Sequence, residues 1–373
     1  MSDTDVLILV FCAIYLSECF FLSSKHAYPF RQRPFRKWAP AKPLFSPSLL
    51  KFQLLFENLL PLGSIALSEA LPFQFSPLGI CCSEGETCHP ATKYLDYSSV
   101  SRFSREGFTI LADSKVICSA GTIEYAKKLS ELLSQLKESD IVQRELLIRG
   151  SLRRMLDTRL ARRRWRMYQR VLQFIDLSTW MLFGGFLLLL TMVAWVGLRL
   201  PALWPLGLIV VLLVADTIYT FNKVHRFLFP ENTDERWKQI VLMILTPTAS
   251  IRAKDFLLRE LFAGFHFLVV ARVILDSSQA CIFTARVLRE LTNPLSTGGS
   301  TDKCKAVEWT ETEWRTVVWE WAEKEFGNPH KLIGAPEKLA PDCLCYCPRC
   351  LTQYMFVRTH CADCPGVVVR PLL

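Results

Sequence analysis

Hydrophobic residues in this chain are gathered into a few long runs. They crowd residues 5–22, 178–221 and 239–275, while the sequence between these runs is mixed in polarity. A helix that crosses a lipid bilayer needs roughly 20 largely apolar residues. The first run just reaches that length, and the second is long enough for two such helices, 178–198 and 202–221. The pattern therefore predicts three transmembrane helices, of which the last two form a hairpin.

The third run has a different composition. Pro247 interrupts it, and four polar residues are spread along its second half: Arg259, Glu260, His266 and Arg272. An arginine at the centre of a transmembrane helix costs roughly 2.5–3.5 kcal/mol on insertion scales. We therefore expect amphipathic helices that lie at the cytoplasmic interface or pack against the bundle, with a fourth span as the alternative. The polar residues then form either a cluster at the membrane face or part of a packed helix face.

Basic residues flank the apolar runs. They follow the first run and the third predicted span, and nine arginines against one acid lie between Arg149 and Arg170. Because cytoplasmic flanks are enriched in Lys and Arg, we expect the N-terminus outside and the C-terminus in the cytoplasm. Anionic lipid is the expected contact of the arginine-rich segment, and nucleic-acid phosphate is the alternative. The candidate side chains are Arg153, Arg154, Arg162, Arg163, Arg164 and Arg166.

The stretches between the runs predict small modules. In chain order we expect an anchor helix (1–22), a basic proline-rich linker (23–49), a small α+β domain (50–137), an arginine-rich helix (138–177), the transmembrane hairpin (178–221), amphipathic helices (222–299), a Trp-rich helix with a linker (300–340) and a cysteine-rich module (341–373). Within the α+β domain, residues 112–115 form a hairpin turn and Thr122 caps a helix. This order of strands closed by a helix over 66–137 resembles the pleckstrin-homology-like domains of bacterial membrane proteins.

The Trp-rich helix carries an apolar stripe. A cap is expected at Thr310, and Gly327 and Pro329 end the helix. Indole rings suit both a membrane interface and a small core, so both placements stay open. The stripe consists of Trp314, Val317, Val318, Trp321 and Ala322.

Two cysteine pairs near the C-terminus have the spacing of metal ligands. Cys347 and Cys350 are separated by ten residues from Cys361 and Cys364. A tight turn brings the two thiolates of each pair together, and a hairpin between the turns gives four sulfurs around Zn²⁺. The segment 345–366 resembles the short zinc ribbons of bacterial membrane and regulatory proteins, with Leu351 where that family has glycine. The resemblance implies a structural zinc ion and reduced thiols, hence a cytoplasmic tail. Cys343 and Cys345 are possible competing ligands.

Two acidic residues fall inside predicted spans. Glu18 and Asp216 could line a proton or ion path, or could pair with neighbours near the span ends. A second metal site is a further alternative, formed by Cys81, Cys82, Cys88 and His89, although their spacing matches no established pattern.

Composition agrees with a membrane protein. The 373 residues carry a net charge of +9 and a mean hydropathy of +0.23. No nucleophile elbow, P-loop, dinucleotide fingerprint or H-E-x-x-H motif occurs, which lowers the expectation of an enzyme. The chain resembles bacterial multi-span membrane proteins with a C-terminal zinc ribbon. We therefore predict a membrane α-helical protein with a small cytoplasmic α+β domain, located in the bacterial cytoplasmic membrane. The expected function is a non-enzymatic adaptor that binds protein or lipid; transport and membrane-tethered nucleic-acid binding are the alternatives.

Overall fold

The computed structural model describes residues 2–25, 27–32, 38–40, 60–67, 75–83, 92–197, 200–292, 305–334, 338, 340–348, 352–362 and 367–372. It is mostly helical with small sheets. The chain divides into two compact units, each assembled from separate stretches of sequence. Unit 1 comprises Met1–Leu71, Val100–Glu138 and Asp157–Phe267, and unit 2 comprises Pro72–Ser99, Ser139–Leu156 and Leu268–Leu373.

The helices and strands are as follows. The α-helices are α1 Asp3–Lys25, α2 Ile123–Glu138, α3 Ile141–Met155, α4 Thr158–Val196, α5 Leu200–Leu228, α6 Thr233–Leu245, α7 Ala253–Leu261, α8 Phe267–Ile274, α9 Ser277–Thr292, α10 Lys305–Phe326 and α11 Pro329–Leu332. The strands are β1 Ala27–Gln32, β2 Trp38–Pro40, β3 Ser64–Leu67, β4 Gly79–Ser83, β5 Thr92–Asp96, β6 Phe103–Glu106, β7 Thr109–Ala112, β8 Lys115–Ser119, β9 Cys345–Tyr346, β10 Gln353–Tyr354 and β11 Arg370–Pro371. A 3-10 segment, Pro247–Arg252, joins α6 to α7.

Two helical stretches are long and apolar enough to cross a membrane. They are Ile141–Val196 and Leu203–Leu228, and only 22% and 11% of their most apolar windows is buried. These stretches contain the second and third predicted spans. The first predicted span is helical as α1, but its side chains after Tyr15, including Glu18, lie outside the described residues. That span therefore stays a prediction.

The arginine-rich segment differs from the single helix expected over 138–177. The helix ends at Met155, and Asp157 starts α4 by accepting a hydrogen bond from the Leu160 N–H. From there α4 continues without interruption through the basic half into the apolar half. The short polar side chain of Asp157 favours this break because it can satisfy the free N–H groups of a new helix.

Helices α4 and α5 pack closely at a glycine. A Cβ atom on Gly185 would lie 2.9 Å from Cδ1 of Leu213, whereas Gly184 faces open space. Leu182, Phe186 and Val210 form a buried cluster beside this contact. The missing side chain at Gly185 leaves room for the Leu213 side chain of α5.

Residues in the predicted linker form a sheet. Strand β1 pairs antiparallel with β2 and with β3, and Phe30 and Ile65 from this sheet are fully buried. The sequence predicts only a basic proline-rich linker here, and not the pairing of its residues with β3. The remaining residues of the linker lie outside the described residues.

The predicted α+β domain is divided between the two units. Strands β6, β7 and β8 form a meander followed by α2 in unit 1, while the β4–β5 hairpin belongs to unit 2. The predicted turn is confirmed, because Asp113 and Ser114 have φ values of 47° and 69° between β7 and β8. Thr122 also caps α2 as predicted, through its Oγ1 atom and the Tyr125 N–H.

The third apolar run does not form a long helix. Its second half contains α7 and α8, which are 9 and 8 residues long. Phe262–His266 separates them, and Gly264 there has φ of 79°, with space so limited that a Cβ atom would lie 2.7 Å from Cε2 of Tyr125. Helices of this length reach about 14 Å, so neither crosses a bilayer. These helices therefore do not form the fourth span, and their placement at a cytoplasmic interface stays a prediction.

Unit 2 contains the Trp-rich helix and the cysteine-rich module. Four members of the predicted stripe of α10 are buried, and Trp314 is half-buried. Gly327 ends α10 with φ of 79°, and Asn328 caps α11. Helix α10 begins at Lys305 rather than at the expected cap Thr310. The stripe therefore forms part of a small core.

Candidate functional site

The C-terminal module is a small three-stranded sheet with the order β10-β9-β11. Cys347 directly follows β9, and its N–H donates to the Thr352 carbonyl at 2.9 Å. The Cys361 N–H donates to the Val367 carbonyl at 2.9 Å. The first cysteine of each pair thus donates a backbone hydrogen bond to the described residue that follows the second cysteine.

Two of the four predicted zinc ligands lie in one buried cluster. Cys347 and Cys361 share it with Cys345, Tyr354, Val367 and Val369. The Tyr354 hydroxyl lies 3.1 Å from the Cys361 sulfur. Cys350 and Cys364 lie outside the described residues. Within the described part of the chain no group of three or more His, Cys, Asp or Glu side chains could hold a metal, and only half of the predicted ligand set belongs to that part.

The possible competing ligands have other surroundings. Cys343 is buried with Tyr346 and Leu372 in a different cluster. Cys345 belongs to the same cluster as Cys347, but its thiol donates to the Phe356 carbonyl at 3.3 Å. For the other proposed metal group, the side chains of Cys81, Cys82, Cys88 and His89 lie outside the described residues.

An apolar tip projects from the cysteine module. It consists of Met355, Phe356 and Val357, which follow β10 and are all exposed, Val357 to 81%. The Arg358 guanidinium lies 5.4 Å and 5.5 Å from the ring centres of Tyr354 and Phe356. A cation over two aromatic faces holds the base of the tip in place.

Unit 1 contains a buried polar network behind the end of α5. His225 Nε2 lies 2.7 Å from Glu260 Oε2, and both side chains are almost fully buried. The Asn232 amide donates to Glu260 and to Glu124, each at 2.5 Å. Burial raises the pKa of Glu124, but hydrogen bonds from Lys128 and Asn232 outweigh it, so the pKa lies below its usual value. The network ties α5, α7 and α2 together.

A second acid in the same unit has its own partners. Glu235 is buried and accepts hydrogen bonds from Arg259 at 3.0 Å and from the Gln239 amide at 2.5 Å. Burying a carboxylate is tolerated only when such partners are present. Arg259 and Glu260 therefore serve two different buried contacts rather than one cluster with His266 and Arg272.

The other two polar residues of that predicted cluster lie elsewhere. His266 is buried against Phe267, with ring centres 3.9 Å apart, and burial lowers its pKa to about 3. Arg272, in unit 2, pairs with Glu325 at 3.4 Å. Arg259, Glu260 and Arg272 therefore have different described partners, and the packed or exposed helix face stays a prediction.

A third set of buried charges lies at the start of the apolar half of α4. The Lys254 ammonium pairs with Asp176, and it donates to the Gln32 amide oxygen at 3.2 Å. Asp255 accepts from the Ser64 N–H at 2.7 Å, and burial raises the pKa of this carboxyl. These bonds join α7 to α4 and to the β1–β3 sheet.

Asp216 is satisfied by a neighbouring helix. The Ser178 hydroxyl of α4 donates to its carboxylate at 2.5 Å, and Ser178 also lies 3.4 Å from the Thr217 hydroxyl. Hydrogen bonds of this kind link membrane helices. The sequence alternatives were an ion path and snorkelling or pairing with a nearby Lys or Arg, and both stay predictions.

The candidate arginines have three kinds of environment. Arg153 pairs with Glu320 at 3.2 Å within unit 2. Arg164 donates to the Leu261 carbonyl at 3.3 Å, and Arg162 is half-buried. Exposed guanidiniums are left on Arg154, Arg163 and Arg166.

Sequence reasoning missed the buried network. It used His225 only as a basic residue after a span, and it gave no role to Glu124, Asn232 or Glu235. The hydrogen-bonded pairs Asn232–Glu124 and Asn232–Glu260 are 108 and 28 positions apart, so no local pattern joins them. With this geometry established, comparison with known proteins adds no family: neither a protein-family model nor a curated protein nor a solved structure matches the chain.

Proposed function

We propose that this chain is a membrane-anchored adaptor, inserted in a bacterial cytoplasmic membrane, with its N-terminus outside and its C-terminus in the cytoplasm. Helices α4 and α5 form the membrane hairpin and α1 is a further anchor. The low burial of the apolar windows supports insertion, because the core helix of a soluble protein would be mostly covered.

Aromatic residues mark both ends of this hairpin. Trp195 on α4 and Trp204 on α5 are strongly exposed at one end, and Trp180 and Tyr219 are exposed at the other. Each helix therefore carries two interfacial aromatics fifteen positions apart, about 22 Å along the axis. Trp and Tyr favour the two membrane–water interfaces. This arrangement supports a membrane slab between the two aromatic levels.

The C-terminal module is proposed to bind one structural zinc ion through Cys347, Cys350, Cys361 and Cys364. Burial of Cys347 and Cys361 in one cluster supports this ligand set. The hydroxyl of Tyr354 is placed to donate to the Cys361 sulfur, which suits a thiolate. Bound zinc would fix the two loops and stabilise a sheet too small to fold by its own core.

The apolar tip is the observation that carries the adaptor function. Three consecutive exposed apolar residues, Met355–Val357, project from a module that its metal would keep rigid. Apolar anchors on a rigid support are the residues that dominate protein–protein binding energy. We propose that the tip enters an apolar pocket of a protein partner.

Photocrosslinking tests this proposal. A photoreactive amino acid at Phe356 in the full chain should capture one protein of constant mass in cells. The matched control is Val368, which is equally exposed on the same module but lies outside the tip. Equal and heterogeneous crosslinks from both positions, or crosslinks to lipid alone, would rule out a specific protein pocket at the tip.

Transport through the spans is the second candidate. It would use Glu18 and Asp216, and the hydrogen bond from Ser178 already satisfies Asp216. If replacing both acids with neutral residues leaves the flux in proteoliposomes unchanged, transport through the spans is ruled out. A membrane-tethered nucleic-acid binder would use the three exposed arginines, and we rank it below the adaptor because Arg153 and Arg164 have partners within the protein.

A further inference from the structure

Helix α6 is amphipathic in the opposite sense to a helix on a soluble protein. Its buried face carries Glu235, Arg236 and Gln239 beside two apolar residues, Ile240 and Met243. From Gln239 onward its exposed side chains are all large and apolar: Val241, Leu242, Ile244 and Leu245, of which Leu245 is 76% exposed. In the first half, Trp237 is exposed together with Asp234 and Lys238. A surface helix in water turns its polar side outward. The environment outside the second half of α6 is therefore apolar.

Charges on α6 are confined to its first half. Asp234, Glu235, Arg236 and Lys238 lie there, and no charged residue occurs from Gln239 to Ile251. The first charge after that stretch is Arg252, whose guanidinium is buried and donates to the Leu60 carbonyl at 2.7 Å. The end of α6 and the following turn are thus free of charge.

The 3-10 segment after α6 lies at the depth of the membrane spans. Ile251 packs in the buried cluster of Leu182, Phe186 and Val210. Leu182 and Phe186 are two and six positions beyond Trp180 on α4, about 3–9 Å past the aromatic level. The segment therefore lies on the hydrocarbon side of the membrane–water interface that Trp180 marks.

The irregular backbone of this segment is covered by protein. Residues 248–252 are all buried. Backbone that is not helical is tolerated at membrane depth only when protein or water, rather than lipid, surrounds it. The return helix α7 then places Lys254 against Asp176, four positions before Trp180 and outside the aromatic level.

We propose that Thr233–Leu261 is a re-entrant hairpin, which enters the membrane from the cytoplasmic side beside α4 and α5 and turns at Pro247. Its 13-residue first helix spans about 20 Å, too short to cross a hydrocarbon layer of about 30 Å. Lipid acyl chains cover Val241, Ile244 and Leu245, and Trp237 lies at the interface. Lipid is the expected occupant because Ile251, six positions after Leu245, packs against α4 and α5, whose exposed side chains are apolar as well.

This inference rests on the proposed membrane insertion, and one experiment separates the two. A fluorescent noncanonical amino acid is placed singly at Ile244, Leu212 or Val116 in the full chain, in nanodiscs with or without acyl-brominated lipids. Leu212 is an exposed residue of α5, and Val116 is exposed beside Lys115 on β8. We expect brominated lipid to quench the probe at Ile244 and Leu212 at least twofold, with no quenching at Val116.

Three results would overturn the hairpin. If the probe at Leu212 is quenched but the probe at Ile244 behaves like that at Val116, α6 is not in lipid although the spans are. If no position is quenched, the membrane insertion itself fails. A variant that does not elute as a monodisperse peak is replaced by the same probe at Leu245. Strong quenching at Ile244 by water-soluble acrylamide would also exclude contact with lipid.

Discussion

His225 and Glu260 meet in a part of unit 1 that is closed to water. Their hydrogen bond is 2.7 Å long, and the rings of Phe221 and Phe229 lie within 5.5 Å and 5.2 Å of the imidazole centre. Such a pair contributes little more to folding stability than well-packed apolar side chains would. Removing one partner, however, leaves the other buried and without a hydrogen bond. The contact therefore constrains which side chains can stand at these two positions.

Glu260→Ala should destabilise the protein strongly. It removes the acceptor of both His225 and Asn232, and breaking a buried pair costs roughly 3–5 kcal/mol. Arg153→Ala is the control, because it breaks a pair whose side chains are 63% and 52% exposed and should cost less than about 1 kcal/mol. Thermal unfolding of the purified proteins in one detergent compares them. If the two variants lost the same amount of thermal stability, burial would not be what makes the His225–Glu260 pair costly to break.

His266 should make stability depend on pH. Its folded pKa of about 3 lies below its ordinary value of 6.5 because burial disfavours the charged ring. The unfolded state therefore binds more protons between these values, so stability is complete above pH 6.5 and is lost as pH falls toward 3. The slope is about 1.4 kcal/mol per pH unit. His266→Gln should flatten this part of the profile of unfolding midpoint against pH.

The control for that measurement is His330→Gln. His330 is exposed at the start of α11, so its removal should leave the profile as in the parent protein. An unchanged profile in His266→Gln would show that another group is responsible.

At the scale of the element, the packing of α4 against α5 can be tested at two adjacent glycines. A larger side chain changes helix propensity equally at both positions, but only Gly185 faces Leu213. Gly185→Val should push Leu213 away and separate α4 from α5, since the new Cβ would lie 2.9 Å from that side chain. Overpacking costs roughly 1–3 kcal/mol. Gly184→Val is the control, because it changes intrinsic helix propensity by the same amount while its new side chain meets open space. Unfolding midpoints should fall only for the first variant, and similar midpoints would contradict close packing at Gly185.

Elements with a local signal could be predicted from the sequence. The apolar half of α4, the β7–β8 hairpin and the stripe of α10 all follow from periodicity or turn residues. The sheet formed by β1 could not, because Arg31 pairs with Ser64 of β3, 33 positions later in the chain, and only tertiary packing sets this register. The buried network was missed for the same physical reason: charge neutralisation inside a fold depends on distant partners, not on spacing.

At the scale of the whole molecule, the zinc proposal has a direct test. The purified full chain should contain about one zinc ion, because a four-thiolate site is closed and tetrahedral. Cys347→Ser and Cys361→Ser should lose the metal, whereas Cys343→Ser should retain it, since Cys343 lies in a separate cluster. Elemental analysis after gel filtration gives the stoichiometry. If neither Cys347→Ser nor Cys361→Ser lowers the zinc content, the proposal of a zinc ribbon is wrong.

The division into units has a consequence for synthesis of the chain. The polypeptide passes between the two units five times, at positions near 72, 100, 139, 157 and 268. Unit 1 therefore cannot be completed until Phe267 has left the ribosome, and unit 2 waits for the last residues. A nascent chain that already contains α4 and α5 still lacks Lys254 and Glu260, the partners of Asp176 and His225. Order of translation, rather than stability alone, should thus determine which truncated products survive in the cell.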